Sequence, residues 1–209
     1  MAGVITALKI QKKNKERVNV FVDDEFALGV TVMVATTLRK GQFLSDAEIE
    51  QLKHGDERNK AYDRAVRFLS YRSRSVVEVT RYLRDKDYTD EVVDDTVNRL
   101  LGQNYLNDEE FARAWLRNRE QVNPRGRQAL RYELRQKGIS DRIIDTVLAD
   151  LNEDELAWAA VENKLPRWQN LSEQEFKKKL VSFLNRRGFS YATANDVFHR
   201  AWNELNISE

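Results

Sequence analysis

The side chains best spaced to do chemistry are three arginines. Arg127, Arg131 and Arg135 recur at every fourth position of a segment with helical periodicity, which predicts one stripe along a helix. The apolar residues beside them, Leu130 and Leu134, are expected to hold this helix in a core. The guanidiniums should therefore point outwards, where they can form bidentate contacts with phosphate or carboxylate. The chemistry that this pattern predicts is recognition of anions.

Further bases stand on or beside other predicted helices, and a helix near 176–187 repeats the basic stripe. A single surface arginine is usually only solvated, but three parallel stripes favour a surface that binds a polyanion or an acidic protein. Binding to phosphate would be independent of base sequence and sensitive to salt. The candidate filament- and DNA-binding residues are Arg72, Arg74, Arg81, Arg84, Arg125, Arg127, Arg131, Arg135, Lys137, Arg186 and Arg187.

Other chemistry finds little support in the sequence. His54 and His199 have no metal-ligand spacing, cysteine is absent, and neither nucleotide-binding glycine motif occurs. Acidic pairs four residues apart between Asp90 and Asp95 offer ligands for Mg²⁺, but they fit better the positive N-terminal end of a helix. We therefore expect no catalytic residues, no metal and no cofactor.

Composition points to a helical protein. Of 209 residues, 41% are hydrophobic and 33% charged, while only two are proline and eight are glycine, which favours long helices. No apolar run approaches the roughly 20 residues of a membrane span, so we expect a cytoplasmic protein without membrane contact. The net charge is only +1, but acids dominate 90–110 and 141–155 whereas bases dominate 111–140. The surface potential is therefore expected to be patterned.

An internal repeat dominates residues 61–205. Corresponding residues recur at intervals of 51 and 50 residues, and in each copy a leucine near a helix end precedes an apolar residue followed by a hydroxyl. These positions are Leu83, Leu134 and Leu184, followed by Tyr88, Ile139 and Phe189. We predict three tandem three-helix units, 61–107, 108–155 and 156–205, in an elongated array whose neighbours share a core. The apolar residue after each turn is expected to be a buried plug.

The first 55 residues have a different character. Valines alternate with other residues over 17–22, and a turn-like Asp23–Glu25 follows, which predicts a meander of two or three strands. Short helical segments are expected near 30–38 and 47–52. The polar stretch 53–60 contains Gly55 and is the best candidate for a linker, so we divide the chain into a β-rich appendage, 1–55, and a helical array, 56–209.

Local signals mark several helix ends. Capping boxes are expected at Ser45, Ser75 and Ser172, each followed by glutamate three residues later. The pair Asn123–Pro124 fits the start of another helix.

Three stretches resemble the RecX family of regulators of the RecA recombinase. They are FLSYRSRSVVEVTRYLRDK at 68–86, LLGQNYLNDEEFARAWLRNR at 100–119 and PRGRQALRYELRQKGIS at 124–140. The resemblance spans about residues 60–155, with Asp87 where the family's turn would place glycine. It implies three tandem three-helix units that bind within the groove of a RecA–DNA filament. It also implies that binding blocks filament growth, the RecA ATPase and strand exchange.

Three functions are compatible with these observations. The leading hypothesis is a monomeric, non-enzymatic modulator of a recombinase filament, which also binds single- and double-stranded DNA weakly and without sequence preference. The second is a sequence-independent DNA-binding helical protein, against which the net charge of +1 counts. The third is a generic helical adaptor, which would have no need for aligned arginines.

Overall fold

The computed structural model describes residues 2–207, and within them the chain is mainly α-helical with an N-terminal β-sheet, as predicted. Four strands, ten α-helices and one 3₁₀ helix make up this part of the chain. In order they are β1 (Gly3–Ile10), β2 (Arg17–Val22), β3 (Glu25–Thr31), α1 (Val32–Ala35), β4 (Phe43–Leu44), α2 (Asp46–Leu69), α3 (Val76–Arg84), α4 (Asp90–Gly102), α5 (Asp108–Val122), α6 (Arg127–Gln136), α7 (Asp141–Ala149), α8 (Glu153–Val161), the 3₁₀ helix (Glu162–Arg167), α9 (Glu173–Arg186) and α10 (Tyr191–Ile207).

The N-terminal strands form an antiparallel sheet with the order β3-β2-β1-β4. The predicted alternation is confirmed, because Val18, Val20 and Val22 are buried whereas the residues between them are half-buried. Asp23 and Asp24 have φ angles of 47° and 66°, the left-handed conformation that a two-residue hairpin turn requires. The predicted meander is therefore present, and β4 extends it at the β1 edge.

The expected linker at 53–60 is wrong, because α2 runs unbroken from Asp46 to Leu69. Gly55 lies inside this helix, where a glycine costs about 1 kcal/mol relative to alanine. The cost is offset by tertiary contacts: Ile49 packs into the core of the sheet, and Ala61 and Ala65 are fully buried. Most polar residues of the stretch are exposed on this helix, but Asp56 is buried and contacts Arg17 and Lys60. The other expected segment, near 30–38, shrinks to the single turn of α1.

Two compact units divide the described chain. The first contains the sheet, α1, α2, α4 and the C-terminal half of α3, and the second contains the N-terminal half of α3 together with α5 to α10. Within the second unit, one apolar core joins α5, α6 and α7, and another joins α8, α9 and α10. Leu134 and Leu184 lie fully buried in these cores, as Leu83 does in the first unit. The helices thus group in threes, in agreement with the repeat.

The turns after the middle helices α3, α6 and α9 follow one pattern. Asp87, Gly138 and Gly188 all have positive φ angles, 63°, 79° and 83°. The residue after each glycine is a buried plug, because Ile139 is 4% exposed and Phe189 is 3% exposed. The expectation fails for the first repeat, where Tyr88 is only half-buried.

Asn123 and Pro124 do not start a helix, contrary to expectation. Asn123 ends α5, and Gly126 is the N-cap of α6. Gly126 is required there because a Cβ would lie 2.2 Å from the carbonyl oxygen of Gly188. The amide of Gly126 donates to the carbonyl of Arg187 at 3.0 Å, so the start of α6 rests on the turn that follows α9.

The start of α3 rests on the turn after α6 in the same way. The hydroxyl of Ser75 donates to the carbonyl of Lys137 at 2.6 Å, and a Cβ on Gly138 would lie 2.4 Å from Val77 Cγ2. The predicted capping box at Ser75 is present, since Glu78 and Ser75 exchange hydrogen bonds. Within the second unit, the beginning of one middle helix therefore packs on the end of the next.

Candidate interaction surface

The predicted α6 stripe exists, but its arginines are bound within the chain. Arg131 contacts Asp145 at 2.5 Å, and Arg135 contacts Asp141 at 2.7 Å. Arg127 lies closest to the end of α7, where its Nη1 donates to the carbonyl of Leu148 at 2.5 Å. The three guanidiniums are partly exposed, as expected, but the carboxylates and carbonyls that they contact belong to α7 and the residues after it.

One of these ion pairs is a feature of the repeat. Arg84 contacts Asp90 at 2.9 Å, and Arg135 contacts Asp141 at 2.7 Å, with the same spacing of six residues across the turn. The hydrogen bond between Arg135 and Asp141 raises the pKa of the arginine and lowers the pKa of the aspartate. The third repeat has lost the pair, since Asn185 stands at the arginine position. Arg84 and Arg135 thus join a middle helix to the helix after it.

A second group of arginines is less completely neutralised. Arg119 donates to Glu133 at 2.8 Å, whereas Arg125 lies 4.0 Å from the same carboxylate. The Arg125 Nε is buried without a hydrogen-bond partner among residues 2–207. Among residues 2–207, the acceptors of Arg187 are neutral: it donates to Asn123 Oδ1 at 2.8 Å and to the carbonyl of Pro124 at 3.2 Å. We call Arg119, Arg125 and Arg187 the arginine cluster.

The electrostatics of the arginine cluster show the excess of positive charge. Burial lowers the pKa of the Arg187 guanidinium, and the neighbouring charge of Arg125 lowers it further. Arg187 also lies over the ring of Phe183, with 4.6 Å between the guanidinium carbon and the ring centroid. Glu133 serves both Arg119 and the indole N–H of Trp115. One carboxylate, Glu133, therefore contacts two of the three guanidiniums of the cluster, Arg119 and Arg125.

Lys137 is placed by packing between repeats. Its ammonium contacts Glu78 at 2.9 Å and lies 5.1 Å from the centroid of the Trp115 ring. Its carbonyl accepts the hydroxyl of Ser75. These contacts hold the start of α3 against the end of α6.

The remaining candidates occupy exposed or half-exposed positions. Arg72 is exposed and Arg74 is half-buried just before α3, and both make contacts within the chain. Arg81 on α3 and Arg186 at the end of α9 are exposed and make no ion pair within the described part of the chain. Of the eleven candidates, Arg125 and Arg187 are brought together by the structure as a region of net positive charge.

Sequence reasoning missed several basic residues. Arg119 belongs to the arginine cluster, but it lies on the first helix of its repeat, whereas the predicted basic stripes follow the middle helices. Lys60, Arg64 and Arg67 lie at i, i+4 and i+7 of α2. This spacing is visible in the sequence, but the linker predicted at 53–60 separates Lys60 from Arg64 and Arg67.

Residues 2–207 offer neither a metal site nor a membrane span. No group of three or more histidine, aspartate or glutamate side chains in this range could hold a metal ion. None of its helices combines the length and the apolar character of a membrane span. The chemistry offered by the described surface is that of guanidinium and ammonium groups contacting anions.

Fold and surface together define a three-helix repeat protein with an N-terminal β-sheet and an arginine-rich face. Four RecX profiles match in order: the regulatory protein RecX N-terminal domain at 3–45, and the RecX first, second and third three-helix domains at 61–100, 107–148 and 152–198. The chain belongs to the RecX family.

Whole-chain relatives agree with these profiles. The regulatory protein RecX of Bacillus subtilis is 39% identical over 206 residues, which cover 96% of this chain and 76% of that one. The regulatory protein RecX of Listeria monocytogenes is 30% identical over 214 residues, covering 98% and 78%.

Solved structures of the family share the fold. A crystal structure of regulatory protein RecX has a TM-score of 0.76 at 28% identity and covers 94% of this chain and 98% of that chain. RecX from Lactobacillus salivarius has a TM-score of 0.64 at 26% identity and covers 73% and 99%.

Proposed function

We propose that this chain regulates the RecA recombinase by binding the RecA–DNA filament and inhibiting its extension, its ATPase and strand exchange. It would so modulate recombination and DNA repair in the cytoplasm. The observation that carries the proposal is the complete set of four RecX modules in order along one chain, in a family whose members are named regulatory proteins. The chain acts as a monomeric binding protein, without catalytic residues or a cofactor, and its three-helix units carry the contact.

The arginine cluster is the part of the surface best suited to that contact. A filament exposes phosphodiesters and acidic protein side chains, and guanidiniums recognise both by paired hydrogen bonds. Arg125 and Arg187 meet these requirements because Arg125 lies 4.0 Å from a carboxylate that already binds Arg119, and Arg187 donates to the neutral oxygens of Asn123 and Pro124. Arg81 and Arg186 are exposed and extend the choice of contacts, together with Arg72 and Arg74.

The paired candidates would contribute less. Before they can bind a filament, these residues must release a partner within the chain. Replacing an internal partner by one on the filament therefore gains little free energy. The residues are Arg84, Arg127, Arg131, Arg135 and Lys137. We therefore rank them below the arginine cluster, although their exposed edges still add to the positive potential.

The test is co-sedimentation of the chain with RecA filaments on single-stranded DNA. Arg125→Gln/Arg187→Gln should weaken association about tenfold or more, since loss of each charged hydrogen bond costs roughly 1.5–3 kcal/mol. Arg117→Gln/Arg142→Gln removes two exposed charges of the same unit and is the matched control, with expected association near that of the wild type. Melting curves of both variants establish that they fold. Equal association of the folded cluster variant and the wild type would contradict the assignment of the surface.

The second candidate is a sequence-independent DNA-binding protein. The observation in its favour is the arginine cluster, in which Glu133 is shared by Arg119 and Arg125 and Arg187 carries a further positive charge beside Arg125. The net charge of +1 counts against it, since a protein that neutralises many phosphates needs a larger positive charge. Tighter binding to naked DNA than to the filament at equal salt would favour this candidate.

A further inference from the structure

The open edge of the N-terminal sheet borders a groove. β3 is an outermost strand of the sheet, and four consecutive residues of this strand, Phe26–Gly29, line a depression of about 480 Å³. Helix α2 lines the depression between Lys53 and Lys60, and the turn Lys86–Tyr88 contributes as well. All of these residues belong to the first unit. We call this depression the edge groove.

The register of the sheet fixes the direction in which the backbone of β3 points. The amide of Val32 donates to the carbonyl of Glu16 at 2.9 Å, and Val18 lies opposite Val30 two steps further along the same ladder. Since hydrogen-bonded pairs alternate with non-bonded pairs in an antiparallel ladder, Val18 and Val30 form the next bonded pair. Gly29, beside Val30, therefore directs its N–H and C=O away from β2 and towards the open edge. Its N–H has no hydrogen-bond partner among residues 2–207.

A bulge leaves more of the β3 backbone unpaired. Val20 and Phe21 are neighbours in β2, yet their partners in β3 are Leu28 and Phe26, so Ala27 has no partner residue. An extra residue of this kind stays outside the ladder of hydrogen bonds. The edge groove is therefore lined by strand backbone that the sheet itself does not use.

An ion-pair network ends the free part of the edge. Arg17 donates to the carbonyl of Gly29 at 3.0 Å and to Asp56 Oδ2 at 2.8 Å, and Lys60 contacts the same carboxylate at 2.8 Å. Asp56 lines the edge groove and is 7% exposed, but its Oδ1 is buried without a hydrogen-bond partner in the described part of the chain. A buried acceptor without a donor costs free energy, which an N–H group entering the groove would recover.

The charges that line the edge groove cancel. They belong to three lysines and three acids: Lys53, Lys60, Lys86, Asp56, Glu57 and Asp87. A polyanion therefore gains little from this lining, because binding of phosphates depends on an excess of positive charge. The contacts that remain are the strand backbone and two rings, those of Phe26, which is 57% exposed, and Tyr88, which is half-buried.

We propose that the edge groove binds an extended peptide segment of a partner protein, which adds to β3 as a further strand. The Gly29 N–H donates to a carbonyl of the peptide, and an apolar side chain of the peptide contacts Phe26 and Tyr88. Four residues of an extended strand span about 13 Å, so a segment of about four residues covers the free part of the edge. Addition of a strand to an exposed sheet edge is a recurring mode of peptide recognition. The site needs no recombinase, so it goes beyond the regulation proposed above and can fail independently of it.

The test titrates the isotopically labelled full chain with a terminally blocked peptide of the sequence RVNVFV. This is the sequence of β2, a strand that pairs with β3 in the sheet. Nuclear magnetic resonance should show a saturable shift of the Gly29 amide signal and slower hydrogen exchange of this amide, because the N–H gains an acceptor. The affinity should change little between low and moderate salt, because the lining of the groove has no net charge.

Two changes remove the strand pairing and leave other contacts in place. Gly29→Pro removes the N–H that points away from β2, a change that an edge strand tolerates, and should raise the Kd about fivefold or more. Gly29→Ala keeps the N–H and is the matched control, with a Kd near that of the wild type. The peptide N-methylated at every second amide, made in both registers, keeps its side chains, and in one register it should bind about tenfold more weakly.

The outcomes against the proposal are equally specific. It is overturned if the Gly29 amide does not respond to the peptide, or if both methylated peptides bind as tightly as the unmodified one. It is also overturned if Gly29→Pro, shown to be folded by its melting curve, binds like the wild type. Displacement of the peptide by oligothymidylate, with binding that falls steeply as salt is added, would identify the groove as a nucleic-acid site instead. If Gly29→Pro does not fold, the methylated peptides decide the question on the wild-type chain.

Discussion

Arg127 and Arg135 lie on one stripe of α6, yet their surroundings give them different roles. Arg135 forms an exposed pair with Asp141, and such pairs contribute little to stability because water and salt screen them. Arg127 donates to the carbonyls of Leu148 and Leu151 at the end of α7 and lies 3.9 Å from Glu153. It therefore adds a charged donor to the carbonyl of Leu148, which also accepts the amides of Asp150 and Leu151, and to the carbonyl of Leu151 just after the helix. The two arginines therefore have equal spacing on the helix but contribute differently to the free energy of unfolding.

This difference predicts unequal costs of substitution. Arg127→Gln should lower the free energy of unfolding by about 1–3 kcal/mol, because helix-end carbonyls lose a charged donor. Arg135→Gln on the same helix is the matched control and should cost clearly less, because its ion pair is exposed to solvent. Urea denaturation of both variants measures the difference. Equal costs would show that the Arg127 contacts contribute no more than a surface ion pair.

Asp108 provides a pH-dependent prediction. Its carboxylate accepts the amide of Val76 at 2.9 Å, but burial raises its pKa above the ordinary value. A raised pKa means that the folded chain holds the proton more tightly than the unfolded chain, so stability falls as the pH rises through that range. Asp108→Asn keeps the acceptor oxygen and removes the charge.

The variant should consequently be as stable as the wild type or more stable at pH 7. The advantage should shrink as the pH falls and vanish below about 3.9, the ordinary pKa of an aspartate. Denaturant unfolding from pH 3 to pH 7 checks this. A variant that is less stable than the wild type at pH 7, and equally stable at pH 3, would reverse the sign and contradict the account.

At the scale of elements, the middle helices are the connectors of the second unit. The start of α3 packs on the turn after α6, and the start of α6 packs on the turn after α9. Each turn is fixed by a left-handed glycine and by the plug that follows it, Ile139 or Phe189. The plug therefore supports both its own repeat and the junction to its neighbour.

The plug position should be sensitive to truncation in proportion to its burial. Ile139→Ala should cost on the order of 2–5 kcal/mol, as expected when a large side chain is removed from a core. Tyr88→Ala, at the equivalent but half-exposed position, should cost less. Thermal or urea unfolding compares them. A cost below about 0.5 kcal/mol for Ile139→Ala, the level of surface sites, would refute the repeat alignment there.

For the whole molecule, the sequence predicted which helices and strands form better than it predicted the tertiary contacts between them. The repeat of Leu83, Leu134 and Leu184 predicted three helical units because burial imposes a period on apolar residues. Gly55 within polar residues suggested a linker, but packing of α2 against the sheet outweighs the local preference of one glycine. Local propensity carries no information about such long-range contacts.

The candidate surface was harder to predict for the same reason. Whether an arginine is paired depends on the acids of the neighbouring helix, which spacing along its own helix does not report. One signal was available: in the first two repeats an acid follows the arginine by six residues, as in Arg84 and Asp90. The meeting of Arg125 with Arg187 required the fold, since 62 positions separate them in the chain.

The central claim is that this RecX-family chain acts on the recombinase filament. The most direct measurement is the steady-state rate of ATP hydrolysis by RecA on single-stranded DNA as the full chain is titrated in. The account predicts that the rate falls as the chain is added, and that Arg125→Gln/Arg187→Gln shifts the curve to about tenfold higher concentration, in line with its loss of charged hydrogen bonds. Unchanged hydrolysis at a saturating concentration of the chain, together with tight binding to naked DNA, would contradict it.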